Sequence, residues 1–272
     1  MIFKAVLFDL DDTLIVDEAV SRETFANVAK LAAERHGANA AKFAVDAARH
    51  ARELWAAGPH HALCKALGIS AFECLWGDFV SRVDPWPSFQ EWSQAFREQV
   101  FDRALRDQLI EDPDGGAELS VEFAHERRRL PRLMPNVRET LVRLSASYAL
   151  GMLTNGSPDL QREKIAASGL GDFFQAIAVS GEHGIGKPRP EIFQILAEEL
   201  GVSVGECVMV GNSLERDILG ARNAGMRSAW LKVPGSEEHA DVEIDLAITG
   251  LAELPDLLLK LEQAEAAIAA GR

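Results

Sequence analysis

Three carboxylates lie within four positions near the start of the chain, in the segment DLDDTL at positions 9–14. They are Asp9, Asp11 and Asp12, and like charges this close together repel one another. The segment is therefore either a solvated acidic turn or a site where a hard divalent cation with oxygen ligands removes the repulsion. In the second case one carboxylate could act as a nucleophile and another as a general acid.

Two later segments carry groups that suit an anion. The segment TNGS at positions 154–157 offers the Thr154 hydroxyl, the Asn155 amide and a glycine that leaves backbone N–H groups open to an anion. The segment GKPRP at positions 186–190 places Lys187 just ahead of a helix whose first turn is set by proline. Alone, the first segment is more typical of a turn and the second of a surface charge.

A fourth polar segment, GNSLERD at positions 211–217, carries the amide of Asn212 five residues before the carboxylate of Asp217. Alone it is more typical of a helix cap, with Ser213 as the capping residue. Taken with the three segments above, it favours a site that holds both a phosphate group and a cation.

Short apolar runs place each polar segment near the end of a predicted strand. A nearly continuous apolar run that is too short for a helix is typical of a strand buried on both faces of a parallel sheet. Segments with helical periodicity separate these runs, so the sequence predicts an α/β fold with a doubly wound parallel sheet. The predicted strands are 2–8, 148–153, 176–179, 207–210, 227–231 and 245–248.

The stretch 17–131 has no convincing buried strand and shows helical spacing of Ala, Glu, Arg and Lys. It predicts an all-helical domain, inserted into an α/β core domain of residues 1–16 and 132–272. Because the insertion follows the first strand, we expect it over the carboxyl end of that strand, where open α/β sheets bind ligands. Its predicted helices are 20–36, 40–57, 88–106 and 117–129.

Four of the five tryptophans lie in this insertion: Trp55, Trp76, Trp86 and Trp92. An aromatic pocket for a base or a sugar is one interpretation. Tryptophans at helical spacing are more typical of a packed helical core, which is the other.

The composition excludes several classes of partner and location. The chain has 272 residues, 47% of them hydrophobic and 26% charged, as in an ordinary globular protein. A formal net charge of −14 makes nucleic acid and anionic membranes poor partners. No stretch approaches the roughly 18 uncharged apolar residues of a membrane span. The apolar stretch at the start of the sequence is shorter than that of a signal peptide. Three cysteines without CxxC spacing fit a reducing compartment, so we expect a cytoplasmic protein.

The four polar segments together resemble the four motifs of the haloacid dehalogenase-like hydrolases, in the order and at the strand ends that this superfamily uses. The resemblance covers about residues 2–16 and 132–250, and the helical insertion resembles the cap domain that many members carry after the first motif. It implies a Rossmann-like core with an all-helical cap. It also implies a phosphatase that acts on a small phosphorylated metabolite.

The resemblance further implies roles for individual residues. Asp9 would attack phosphorus and form an aspartyl phosphate, while Asp11 would protonate the leaving oxygen and then activate water. Thr154, the Asn155 backbone and Lys187 would hold the phosphoryl oxygens and offset developing charge.

The same resemblance implies a magnesium ion. Its ligands would be the Asp9 carboxylate, the Asp11 backbone carbonyl and the Asn212 side chain, with Asp217 acting through a bound water. Most phosphatases of this family carry aspartate where this chain has Asn212. An amide oxygen can ligate magnesium, but the site has one negative charge less, so we expect weaker metal binding rather than lost activity.

Two other functions stay open at this stage. A dehalogenase would use Asp9 to displace halide from carbon and would need neither magnesium nor a second acid, so Asp11 argues against it. A binding or regulatory protein could have kept the fold and lost efficient metal binding through Asn212. The sequence predicts neither the particular substrate nor the oligomeric state.

Overall fold

Six parallel strands form the sheet of the α/β part of the chain. The computed structural model describes residues 2–233 and 242–270. The strand order is β3-β2-β1-β4-β5-β6, and every neighbouring pair is parallel. The predicted α/β fold with a parallel sheet is therefore confirmed. The strands are β1 (Ala5–Phe8), β2 (Ala149–Thr154), β3 (Ala176–Val179), β4 (Cys207–Gly211), β5 (Arg227–Leu231) and β6 (Leu246–Ile248).

The central strand β1 is buried on both faces of the sheet. Val6 and Phe8 belong to one hydrophobic cluster, whereas Ala5 and Leu7 belong to another. Successive side chains of a strand point to opposite faces, so a strand covered on both faces needs a continuous apolar run. The predicted strand begins earlier, at residue 2, because the apolar run starts there. In the structure Lys4 already makes backbone hydrogen bonds, donating to Glu206 and accepting from Ala149.

The described part of the chain contains eleven α-helices. The first five follow β1 as the inserted helical region, and the others alternate with the strands. None of the described helices is long and apolar enough to cross a membrane. The helices are α1 (Glu18–His36), α2 (Ala40–Ala57), α3 (His61–Leu67), α4 (Trp86–Arg106), α5 (Gly115–Arg128), α6 (Val137–Ser145), α7 (Pro158–Ser168), α8 (Ser180–His183), α9 (Pro190–Glu199), α10 (Gly220–Ala224) and α11 (Leu254–Ala270).

The four predicted helices of the insertion correspond to α1, α2, α4 and α5, and their ends differ from the prediction by at most two residues. The short helix α3 was not predicted, because seven residues are too few to show a clear helical period. Trp76 and Trp86 are buried in a large apolar cluster, and Trp55 and Trp92 pack against it. The tryptophans of the insertion therefore serve its packed core.

The chain separates into two compact units. One comprises the described residues of 1–16, 133–155 and 165–272, and the other comprises 17–132 and 156–164. Helix α7 therefore contributes residues to both units. The predicted division, with one boundary at 131, assigned the whole of this helix to the core domain. Residues 1, 234–241 and 271–272 of the predicted core domain lie outside the described residues. The domain assignment stays a prediction.

Candidate active site

Three strand ends bring the predicted site residues to one edge of the sheet. In the register of the sheet, Phe8 of β1 pairs with Met152 of β2 and with Val210 of β4. The next residue, Asp9, donates its backbone N–H to the carbonyl of Val210 over 2.9 Å. Thr154 is the last residue of β2, so it lies at the same edge of the sheet. Its side chain is fully buried.

A buried lysine joins two of the predicted carboxylates. Lys187 Nζ lies 2.6 Å from Asp9 Oδ1 and 2.7 Å from Asp217 Oδ1. All three residues are buried, with Asp217 only 1% exposed. Residues more than 170 positions apart in the chain thus meet in one ion-paired group, in which a single cation faces two anions.

Burial and the neighbouring charges shift the pKa values of Lys187 and Asp217. Burial alone would lower the pKa of Lys187, but the attraction of Asp217 and then of Asp9 raises it above the ordinary value, so the amine stays charged. For Asp217, burial raises the pKa, and the attraction of Lys187 offsets this only in part. The site therefore holds a permanent positive charge where an incoming anion would need one.

The hydroxyl of Thr13 brings the oxygens of Asp9 and Asn212 together. Thr13 Oγ1 donates to Asp9 Oδ2 over 3.1 Å and lies 3.4 Å from Asn212 Oδ1. The threonine is fully buried. Thr13 belongs to the acidic segment 9–14, but no role was predicted for it. The sequence feature that could have indicated a role is its position four residues after Asp9, in the turn that follows a buried strand.

A side chain of the neighbouring strand β5 fixes the backbone at Asn212. The indole Nε1–H of Trp230, a buried residue of β5, donates to the carbonyl oxygen of Asn212 over 3.0 Å. The side chain of Asn212 therefore extends from a fixed point at the sheet edge.

A π-helical segment, Leu214–Leu219, precedes α10 and carries Asp217 into the site. Ser213 caps it as predicted, because its side chain accepts the N–H of Arg216. The backbone N–H of Ser213 in turn donates to Asp217 Oδ2 over 2.9 Å. Wider π-turns are common at functional sites, and here the turn directs Asp217 back towards the strand end.

Gly211 leaves room for Asp217 and provides a test of this packing. A Cβ added at Gly211 would lie 2.3 Å from Cγ and Oδ2 of Asp217. We expect Gly211→Ala to displace Asp217 and to lower both thermal stability and activity, since overpacking typically costs about 1–3 kcal/mol. Differential scanning calorimetry and turnover assays would measure the two effects.

The matched control for this variant is Gly205→Ala. A Cβ at Gly205 would have no atom within 4 Å, so we expect near-wild-type behaviour. Equal stability and turnover in the two variants would contradict the argument that Gly211 is required for the position of Asp217.

The side chain of Asn155 binds the backbone of Lys187 through both of its polar atoms. Lys187 N donates to Asn155 Oδ1 over 2.8 Å, and Asn155 Nδ2 donates to the carbonyl oxygen of Lys187 over 2.9 Å. The family resemblance implies a role for the backbone of Asn155, and this use of its side chain was not predicted. Asp11 lies two residues beyond Asp9 in the same turn and is half-buried.

The oxygens at this edge suit a hard divalent cation. Two carboxylates, Asp9 and Asp217, and the amide oxygen of Asn212 are neighbours through the contacts described above. Within residues 2–233 and 242–270, no three His, Cys, Asp or Glu side chains form a group that could hold a metal. The side-chain oxygen of Asn212 adds an oxygen of the kind that magnesium accepts as a ligand.

The helical unit contains a separate buried charge network. Lys164 Nζ lies 2.8 Å from Glu73 Oε1 and 3.3 Å from Asp17 Oδ1, and Arg127 also hydrogen-bonds Asp17. Burial alone would raise the pKa of Asp17, but Lys164 and Arg127 lower it below its ordinary value. This network could not be predicted from the sequence, because its members are spread over four segments of the chain. Its charges pair with one another, as stability requires of buried ions.

Comparison with known proteins places the chain in a family. The family model of the haloacid dehalogenase-like hydrolases matches residues 3–225. A phosphoserine phosphatase from Thermus thermophilus is 35% identical over 252 residues, which cover 92% of this chain and 97% of that protein. An N-acylneuraminate-9-phosphatase from Rattus norvegicus is 30% identical over 269 residues, or 95% of each chain.

A solved structure extends the likeness to the fold. The crystal structure of the HAD hydrolase YfnB from Bacillus subtilis, bound to magnesium, matches with a TM-score of 0.64 at 21% identity and covers 94% of this chain and 98% of that one. This agreement confirms the parallel sheet with a helical region inserted after β1. Because the family model covers most of the sequence, the chain belongs to the haloacid dehalogenase-like hydrolases.

Proposed function

We propose that this hydrolase cleaves a small phosphomonoester in two steps, with Asp9 as the nucleophile. The observation that carries the proposal is the position of Lys187, whose ammonium lies 2.6 Å from Asp9 and 2.7 Å from Asp217. A charged amine beside the attacking carboxylate can hold a phosphoryl oxygen and offset the charge that develops on it. The phosphatase relatives at 30–35% identity support the same reaction class.

In the first step, a carboxylate oxygen of Asp9 attacks phosphorus, and the bond from phosphorus to the substrate's ester oxygen breaks. Asp11 donates a proton to that leaving oxygen, so an alcohol departs. In the second step, Asp11 takes a proton from a water molecule, which attacks phosphorus and releases inorganic phosphate and free Asp9. Thr154 and the backbone of Asn155 hold the phosphoryl oxygens together with Lys187.

The oxygen donors at the sheet edge suit magnesium, which would be held by the Asp9 carboxylate, the Asp11 carbonyl and the Asn212 amide oxygen, with Asp217 acting through a bound water. When bound, the ion supplies positive charge that draws the anionic substrate to a carboxylate nucleophile. Lys187 alone cannot do this, because its one charge already faces two carboxylates.

The substrate class is a small phosphorylated metabolite rather than nucleic acid. A chain with a net charge of −14 would repel a polyphosphate backbone. The three cysteines are all free thiols in the described structure, and we place the enzyme in the cytoplasm, where thiols stay reduced.

The first test of this function is a magnesium titration with an aryl phosphate such as p-nitrophenyl phosphate. We expect turnover that depends on magnesium and disappears in excess EDTA, because the carboxylate site repels the substrate without a cation. Turnover that persists undiminished in EDTA, or release of halide from haloacids in place of phosphate, would contradict the proposal.

The same titration on variants of Asn212 tests its assignment as a ligand. Hard cations bind more tightly as ligand charge rises, so Asn212→Asp should lower the magnesium concentration for half-maximal turnover, and Asn212→Ala should raise it. If the alanine variant keeps the wild-type magnesium curve at fixed pH and ionic strength, Asn212 does not bind the metal.

A further inference from the structure

The two hydrogen bonds between Asn155 and Lys187 form a closed pair. Asn155 Oδ1 accepts the backbone N–H of Lys187, and Asn155 Nδ2 donates to the carbonyl of the same residue, over 2.8 and 2.9 Å. Only one orientation of the amide satisfies both partners, since the N–H can only donate and the carbonyl can only accept. Asn155 is 8% exposed, so both bonds are sheltered from water.

Lys187 needs such support because no helix or strand holds it. It lies in the connection between α8 and α9, and the next residue, Pro188, has no N–H to anchor the chain. Fixing a loop residue in one conformation has an entropic cost. The ammonium sits at the end of a long flexible side chain, so its position depends on where the backbone of Lys187 is held.

We propose that Asn155 is a positioning residue for Lys187: its side-chain amide fixes the Lys187 backbone so that the ammonium stays between Asp9 and Asp217. This inference rests on the proposed function for its effect on turnover, but the hydrogen bonds themselves can be tested without substrate. In this assignment the Asn155 side chain acts on the reaction through Lys187.

The first test is hydrogen exchange of the Lys187 backbone amide, followed by NMR in the absence of substrate. Asn155→Ala removes the acceptor, so we expect exchange at this amide to become about tenfold faster or more. Asn155→Asp keeps the acceptor oxygen but sets a second carboxylate oxygen against the Lys187 carbonyl, so we expect a partial loss of protection. Equal exchange in the wild type and in Asn155→Ala would overturn the proposal.

The second test is a double-mutant cycle on kcat/KM with the aryl phosphate. Asn155→Ala should lower kcat/KM by about 10²-fold, the size expected when a reacting group is displaced by about an ångström. In a Lys187→Met background the same change should have less than about a threefold effect, because the group that Asn155 positions is already gone. If the two effects multiply, Asn155 acts on the substrate independently, and the proposal fails.

The matched control is Asn27→Ala, which removes another asparagine side chain whose Nδ2 donates to Glu126 Oε1 over 2.9 Å. We expect this variant to keep wild-type kcat/KM and wild-type exchange at Lys187. A wild-type enzyme without phosphatase turnover would refute the proposed function, whereas unchanged exchange in Asn155→Ala would refute the positioning role. The two failures are therefore distinguishable.

Discussion

Replacing Asp9 with asparagine is expected to abolish turnover, with a loss of at least about 10³-fold in kcat, as is usual when a nucleophile is removed. The amide keeps the size of the side chain but cannot form an acyl phosphate. Binding of beryllium fluoride, which mimics an aspartyl phosphate, should disappear as well. Steady-state kinetics and fluorine NMR would measure the two losses.

The control for this variant is Asp12→Asn, in the same turn. Asp12 has a backbone φ of 56°, a conformation that asparagine tolerates well. The substitution therefore removes a neighbouring carboxylate without straining the chain, and we expect activity near that of the wild type. If Asp9→Asn kept more than about one part in a thousand of the activity, another group would have to be the nucleophile.

Replacing Lys187 with methionine should produce the second large loss. The variant keeps most of the side-chain volume but leaves Asp9 and Asp217 facing each other without a cation. We expect a fall in kcat of about 10²–10³-fold, comparable to the loss of one donor that stabilises transition-state charge. Thermal stability should also fall, since breaking a buried ion pair typically costs about 3–5 kcal/mol.

The variant Lys164→Met distinguishes the effect on kcat from the effect on thermal stability. Lys164 is another buried lysine, paired with Glu73 and Asp17 in the helical unit, so its loss should destabilise the protein to a similar extent. Its effect on kcat towards a small aryl phosphate should be much smaller. A matching fall in kcat in both variants, measured well below their unfolding temperatures, would show that the effect of Lys187 is one of stability alone.

The sheet could be predicted from the sequence because each strand of a doubly covered parallel sheet is a short apolar run. The runs at 176–179 and 227–231 coincide with β3 and β5 to the residue. The π-helical start at Leu214–Leu219 could not be predicted. The apolar residues of this run are spaced in the sequence as in an α-helix, so nothing in the pattern indicates a wider turn. In the structure Asp217 of this segment bonds to Lys187 and to the backbone of Ser213.

In the candidate site, too, some features could be predicted from the sequence and others could not. The strand ends and their polar groups follow from local sequence, but Asp9, Lys187 and Asp217 were assigned to one site only through the resemblance of their segments to the family motifs. The structure brings these three residues into contact. The bonds of Asn155 could not be predicted, because its partner is a backbone atom 32 residues later in an irregular connection. The path of such a connection depends on tertiary packing and leaves no periodic signal in the sequence.

The hydrogen bond from Trp230 to the carbonyl of Asn212 has an evolutionary consequence. It anchors the main chain at position 212 through an atom that every amino acid possesses, so the side chain there can change while the loop keeps its path. Asparagine and aspartate codons differ by a single base. One point mutation can therefore add or remove a negative charge at this edge of the sheet, and a lineage could change the electrostatics of the site without rebuilding the scaffold.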